Sequence, residues 1–161
     1  MISNKFHFAP IGIFHSPFKT REDIPRKKWY DPHGSEDVLG EVEVFKNFEP
    51  GLDDIDGFSH LILVFVFHKS MEKNLHAHPP FDSKRRGIFA TRSPHRPNPI
   101  GMTVVKLVGR ERNILKVSGL DMFEGTPVLD IKPYTPRDIK ENATFGWLDQ
   151  IEENPDVNEN D

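Results

Sequence analysis

The stretch Gly87–Met102, GIFATRSPHRPNPIGM, concentrates side chains able to hold anions or move protons. Arg92, His95, Arg96 and Asn98 stand among prolines at positions 94, 97 and 99. Each proline fixes its own φ and biases the residue before it (Ser93, Arg96, Asn98) toward extended geometry. A loop frozen in this way loses little entropy on closing around a ligand. Two arginines on it point to a carboxylate or phosphate partner. The plainer alternative is a stiff crossover whose arginines pair with the protein's own acids. A second stretch, Leu120–Tyr134, LDMFEGTPVLDIKPY, sets Asp121 and Glu124 before Gly125, where a turn is predicted. Carboxylates at such a turn can accept hydrogen bonds from ribose hydroxyls, and backbone groups there can read an adenine edge. The alternative is a turn carrying two solvated acids. Asp130, on the next strand, reads as a structural acid paired with an arginine.

Other chemistries are poorly supported. With no cysteine there is no disulfide, thiolate metal site or cysteine nucleophile. Eight histidines invite a metal reading, but His76 and His78 lie in a proline-flanked loop without a nearby carboxylate. His60 and His68, on one predicted strand, are roughly 26 Å apart at the usual rise and cannot share an ion. No metal site is expected. There is no G-x-S-x-G, no P-loop and no G-x-G-x-x-G.

Charge is unevenly spread. The net charge is −4, yet residues 149–161 hold six acids and no Lys or Arg, and the rest of the chain has 21 basic residues against 19 acids. Lys84, Arg85, Arg86, Arg92 and Arg96 fall within 13 residues that contain no acid. Lys19, Arg21, Arg26, Lys27 and Lys28 form a second basic group, diluted by Glu22 and Asp23. Such runs are either solvated surface or a phosphate-binding patch beside an acidic tail, and phosphates respond to the local field rather than to global charge.

The elements that must position these residues are short strands. The 161 residues suit one domain. Fourteen prolines, above the usual ~5%, leave little room for long helices. Ala9–His15 reads as a strand, and Val38–Phe45 alternates valines on one face with Glu41 and Glu43 on the other. Phe58–Phe67 is the most apolar run and reads as a strand covered on both faces. Ile88–Thr91 reads as a short strand. Met102–Arg110 and Ile114–Leu120 form a hairpin across Glu111-Arg112-Asn113, and Val128–Lys132 is a further strand. Short helices are expected near Met71–Leu75 and Pro136–Asn142. The predicted class is mainly β: a small single-sheeted β-barrel with short peripheral helices. It should occupy residues 5–148, with an acidic, mobile tail over 149–161. No membrane span or signal-peptide pattern is seen, so a cytoplasmic protein is expected.

At this point the sequence resembles the TsaA-like (TrmO) family of S-adenosylmethionine-dependent tRNA methyltransferases. The matching segments are IGIFHSPFKTREDIPRK (Ile11–Lys27), GFSHLILVFVFHKS (Gly57–Ser70), GIFATRSPHRPNPIGMTVVKL (Gly87–Leu107) and Leu120–Tyr134. The resemblance implies a single β-barrel, S-adenosyl-L-methionine as cofactor, a homodimer, and N6-methylation of N6-threonylcarbamoyladenosine at position 37, in the tRNA anticodon loop. It places Pro25, Arg26, Lys27, His68, Lys69, Arg92, Met102, Asp121, Met122, Phe123 and Glu124 at the cofactor. The family commonly has Gln in place of Lys27 and Asp in place of Glu124. Within this frame Asn98 is the expected acceptor for the substrate N–H, with His95 as the alternative. Lys84, Arg85, Arg86 and Arg96 are the expected nucleic-acid contacts. Some bacterial members continue into a second domain that helps to hold tRNA, whereas this sequence stops soon after the barrel. That keeps open an S-adenosylmethionine-binding regulatory module, or a methyltransferase with a non-tRNA substrate.

Overall fold

Period-two alternation builds the wall of the protein. A computed structural model describes residues 5–24, 37–80 and 82–152. Its strands are β1 (Gly12–His15), β2 (Leu39–Val44), β3 (His60–Val66), β4 (His76–Ala77), β5 (Arg86–Gly87), β6 (Ile100–Glu111), β7 (Ile114–Ser118) and β8 (Pro127–Pro133). Six of them close an antiparallel barrel in the order β1-β2-β7-β6-β3-β8, with β8 returning to β1. The barrel is thus a single sheet, as expected, while β4 and β5 form a separate two-stranded ladder.

The chain divides into two compact units, 1–68 with 100–134 and 69–99 with 135–161. The barrel lies in the first. Its interior is filled by alternate residues of each strand: Phe14, Val42 and Val44, Leu61, Leu63 and Phe65, Val105, Leu115 and Val117, and Val128. Each such side chain contributes about 1.5–3 kcal/mol on full burial. Phe14 and Phe65 meet edge-on across the core at 6.0 Å between centroids. β6 passes over Phe65 only because position 101 is glycine, where a Cβ would come within 2.3 Å of the ring. In the β6–β7 hairpin Arg112 takes φ 55°. Asn113 ties the hairpin to β2 by donating its amide N–H to Val44 O at 2.7 Å.

The outward face of β3 corrects one expectation. Leu61, Leu63 and Phe65 are buried, but His60, exposed, and Ile62, Val64 and Val66, half-buried, face outward. Only one face of this apolar run is covered. The outward residues pair across the ladder with Ile100, Met102 and Val104, which are 43%, 51% and 43% exposed. An apolar run therefore marks a buried inner face plus an apolar outer stripe.

In the second unit Ile88–Ala90 is a 3-10 turn, not a strand. Thr91 closes it, donating both its N–H and its hydroxyl to Ile88 O. No helix forms at Met71–Leu75, where the backbone bonds are long-range instead: Asn74 N–H to His95 O, and Ile88 N–H to Leu75 O. Near Pro136 the expected helix is the three-residue 3-10 turn Pro136–Asp138, capped by Thr135 and Asp138. A short helix, α1 (Trp147–Glu152), runs across position 149.

Candidate functional site

The turn after β7 is bolted to the end of β1. Gly125 takes φ 75°, a conformation that favours glycine, and reverses the chain after Glu124. The Glu124 N–H donates to Phe18 O at 2.7 Å, and the Gly125 N–H donates to Phe14 O at 2.9 Å. Ser16 binds back twice: its hydroxyl donates to Met122 O at 2.6 Å, and its N–H donates to the Glu124 carboxylate at 2.6 Å. The other Glu124 oxygen lies 3.0 Å from His15 Nδ1, whose Nε2 lies 2.7 Å from Glu43 of β2. The Ser16 N–H holds the Glu124 carboxyl below its ordinary range, with His15 assisting against a smaller opposing effect of burial. Glu43, and then Glu124, raise the His15 imidazole above its ordinary value.

Within 121–124 the residues divide sharply. The Met122 side chain is 5% exposed and belongs to the barrel core, so only its backbone can face a ligand. Phe123 is half-buried, and its carbonyl accepts the Thr126 N–H and hydroxyl. Asp121 is exposed. Glu124, read from sequence as a ribose acceptor, has both oxygens already engaged by the chain. Met102 lies on the outer face of β6 opposite Val64, three strands round the wall from β1. His68 is exposed just beyond β3, its N–H turned back to Val66 O. Pro25, Arg26 and Lys27 lie outside the described residues.

In the second unit the proline loop is irregular and held by its own members. Arg96 is half-buried and donates to Thr91 O at 3.1 Å, so it braces the loop. His95 Nδ1 lies 2.9 Å from the Ser70 hydroxyl. Arg92 and Asn98 are exposed and bond to no other described residue, and Lys69 is exposed. The basic run is similarly sorted. The Arg86 Nε–H donates to Asp82 at 2.7 Å, and its guanidinium lies 5.0 Å over the Trp147 ring. Burial of Asp82 pushes its carboxyl up, but Arg86 and the Lys84 N–H outweigh it and hold the group low. Arg85 is exposed and reaches His76 Nδ1 at 2.7 Å, and Lys84 is exposed.

Sequence reasoning passed over His15, Ser16 and Glu43. The available signal was alternation, which puts His15 outward on β1 and Glu41 and Glu43 outward on the neighbouring β2. Among the described residues no cluster of His, Asp or Glu is suited to hold a metal, and no helix is long and apolar enough to cross a membrane.

The six-stranded wall defines a small closed antiparallel barrel, a class distinct from parallel doubly wound sheets. The chain belongs to the family described as the tRNA-methyltransferase O N-terminal domain, whose family model matches residues 13–138. It is 48% identical over 144 residues to a probable S-adenosyl-L-methionine-binding protein of Pyrococcus abyssi, covering 89% of this chain and 76% of that one. It is 39% identical over 143 residues to the tRNA (adenine(37)-N6)-methyltransferase of Escherichia coli, covering 83% of this chain and 59% of that one. The crystal structure of TrmO from Pseudomonas aeruginosa superposes with a TM-score of 0.72 at 37% identity, covering 91% of this chain and 64% of that chain. The chain therefore spans about three fifths of these two longer relatives.

Proposed function

We propose that this chain is an S-adenosylmethionine-dependent tRNA methyltransferase acting at N6 of adenosine 37, with N6-threonylcarbamoyladenosine as acceptor. The observation that carries this reading is family membership over the whole barrel, supported by the state of the loops that hold the expected residues. Asp121 and Arg92 stay exposed while the residues around them are braced. These residues fit the cofactor. The Asp121 carboxylate suits ribose hydroxyls, Arg92 suits the amino-acid carboxylate, and Met102 and Phe123 offer apolar surface. His68, Lys69, Pro25, Arg26 and Lys27 complete the proposed set. Glu124 and Met122 serve by shaping the turn.

When bound, the cofactor supplies a methyl group activated on a sulfonium, so the chain must orient the acceptor and exclude water. The acceptor nitrogen is conjugated and needs a partner for its N–H. Asn98, exposed between two prolines, offers an amide oxygen for it. His95 is the alternative: in the tautomer whose Nδ1–H donates to the Ser70 hydroxyl, its Nε2 carries the lone pair that can accept a proton. Backbone phosphates would meet Lys84 and Arg85, while Arg86 and Arg96, occupied within the chain, support that surface. The anticodon loop is single-stranded, which eases extrusion of the base. The outward stripe on β3 and β6 supports a homodimer, and a tRNA substrate would put the site of action in the cytoplasm.

The test is transfer of tritium from labelled cofactor to tRNA isolated from cells with and without the threonylcarbamoyl modification. Methylation of the modified pool alone is expected, and equal methylation of both would remove the proposed acceptor. A specific observation favours a second reading, an S-adenosylmethionine-binding module without tRNA activity. The Pyrococcus relative, matched over most of its length, is named only as a binding protein. Cofactor binding with no transfer to either pool would select it.

A further inference from the structure

The geometry points to His15 as a positioning residue that fastens the Asp121–Glu124 turn to the barrel and makes cofactor binding tighter when its ring is protonated. This rests on reading that turn as cofactor site. Both ring nitrogens face carboxylates, Nδ1 to Glu124 at 3.0 Å and Nε2 to Glu43 at 2.7 Å. Only imidazolium can donate to both; a neutral ring has one N–H and presents a lone pair to the other carboxylate. Loss of the proton therefore breaks one bond and sets like against like. On one side of the ring is β2, fixed in the wall. On the other is Glu124, which lies in the turn itself and shares it with Asp121, Met122 and Phe123. The Ser16 contacts and the Glu124 and Gly125 N–H bonds to Phe18 O and Phe14 O keep the turn on the β1 end, so loss of the His15 bond loosens the Glu124 side chain and the face beside it without unseating the turn.

The charged neighbours favour the protonated ring. Glu41 is the cross-strand partner of His15 on β2, beside Glu43. Lys116 of β7 stands opposite Glu41. Lys19, beyond the end of β1, acts on Glu124, and Asp121 lies in the same turn. On the β8 side the register partner of Ile13 is Pro127, which carries no charge. Carboxylates outnumber cations around the ring. The ring's raised proton affinity agrees with this.

The experiment follows the His15 ring resonances by NMR across pH 5–9, with and without saturating S-adenosylhomocysteine, beside calorimetric affinities at the same pH values. The ring signal separates His15 from His68 and from the ligand's own amino group. Affinity is expected to fall about three- to tenfold as the ring loses its proton, a moderate value because the three side chains are part-exposed. By reciprocity, ligand should raise the His15 midpoint by about 0.5–1 pH unit. Glu43→Gln, which leaves one carboxylate, should lower that midpoint, and His15→Gln should abolish the His15-dependent part of the affinity profile. Tight binding with an unmoved His15 midpoint overturns the proposal and leaves the cofactor reading intact. No binding at any pH overturns both. If His15→Gln fails to fold, the ring titration of the parent and of Glu43→Gln still decides.

Discussion

The turn at 121–126 and the loop at 91–99 both hold exposed polar residues, but they are stiffened by different means. The turn relies on side chains from elsewhere in the barrel: Ser16 and His15 reach it from 108 and 109 residues away. The loop relies chiefly on local geometry, three prolines and an arginine bonded to carbonyls a few residues back, with His95 tied to Ser70 and Asn74 outside it. The first device is polar and titratable. The second rests mainly on prolines, whose constraint carries no titratable group, and much of it is present in the unfolded chain. The two units thus each carry a segment of the proposed site, one held by titratable side chains and the other mainly by prolines.

The largest expected effect concerns Arg92. Arg92→Ala should weaken cofactor binding by about 1.5–3 kcal/mol if it makes a charge-assisted bond, with the melting temperature unchanged because the side chain bonds to no other described residue. Unaltered calorimetric affinity in a folded variant would remove Arg92 from the site and leave the loop a scaffold.

Next comes the polar clamp. Glu124→Ala leaves the Ser16 N–H without its acceptor and should cost about 1–2 kcal/mol of stability, toward the lower value given the part-exposed site. The sign of its pH dependence is fixed. Glu124 has a lowered folded pKa, so its contribution is present above the ordinary carboxylate range and fades as pH falls through the folded value. His15 has a raised folded pKa, so its contribution is full below its ordinary value near 6.5 and is lost as pH rises through the folded value. Urea melts of parent and Glu124→Ala should differ most between those limits; a constant difference from pH 3 to 9 would show that the clamp does not titrate.

A smaller effect is expected at the prolines. Pro97→Ala should cost about 0.4–1 kcal/mol through the added freedom of the unfolded chain, equally at every pH. A pH-dependent loss would break the contrast between the two regions. Smallest of all, Arg85→Ala should leave stability within ~0.5 kcal/mol while reducing the salt slope of tRNA binding by about 0.7. Arg86→Ala should, in addition, destabilise the fold, since Arg86 pairs with the little-exposed Asp82. Equal thermal effects of the two substitutions would show that the Asp82 and Trp147 contacts carry no stability.

The barrel was legible because strand alternation is local: Val42, Val44 and the Glu41/Glu43 pair fall on the faces their spacing assigns. The clamp was not, because His15, Glu43 and Glu124 come together only through barrel closure. The Ile88–Ala90 turn was misread as a strand for a related reason. Its three-residue apolar run fits either form, and Thr91 settles it with a hydroxyl bond to Ile88 O that composition does not announce. Arg86 and Arg96 lie within an acid-free run and read from sequence as nucleic-acid contacts. Asp82, just outside it, and the Thr91 carbonyl claim them.

Closure of the six-stranded wall also decides how recognition can change. A closed sheet offers no edge for a partner to extend by strand addition. Among the described strands, open edges belong only to the two-residue ladder of β4 and β5. New specificity on the barrel must therefore arise by exchanging side chains on its loops or outer face, with the backbone pairing left untouched. Such a wall can tolerate wide variation at its rims without acquiring the tendency of open sheets to polymerise.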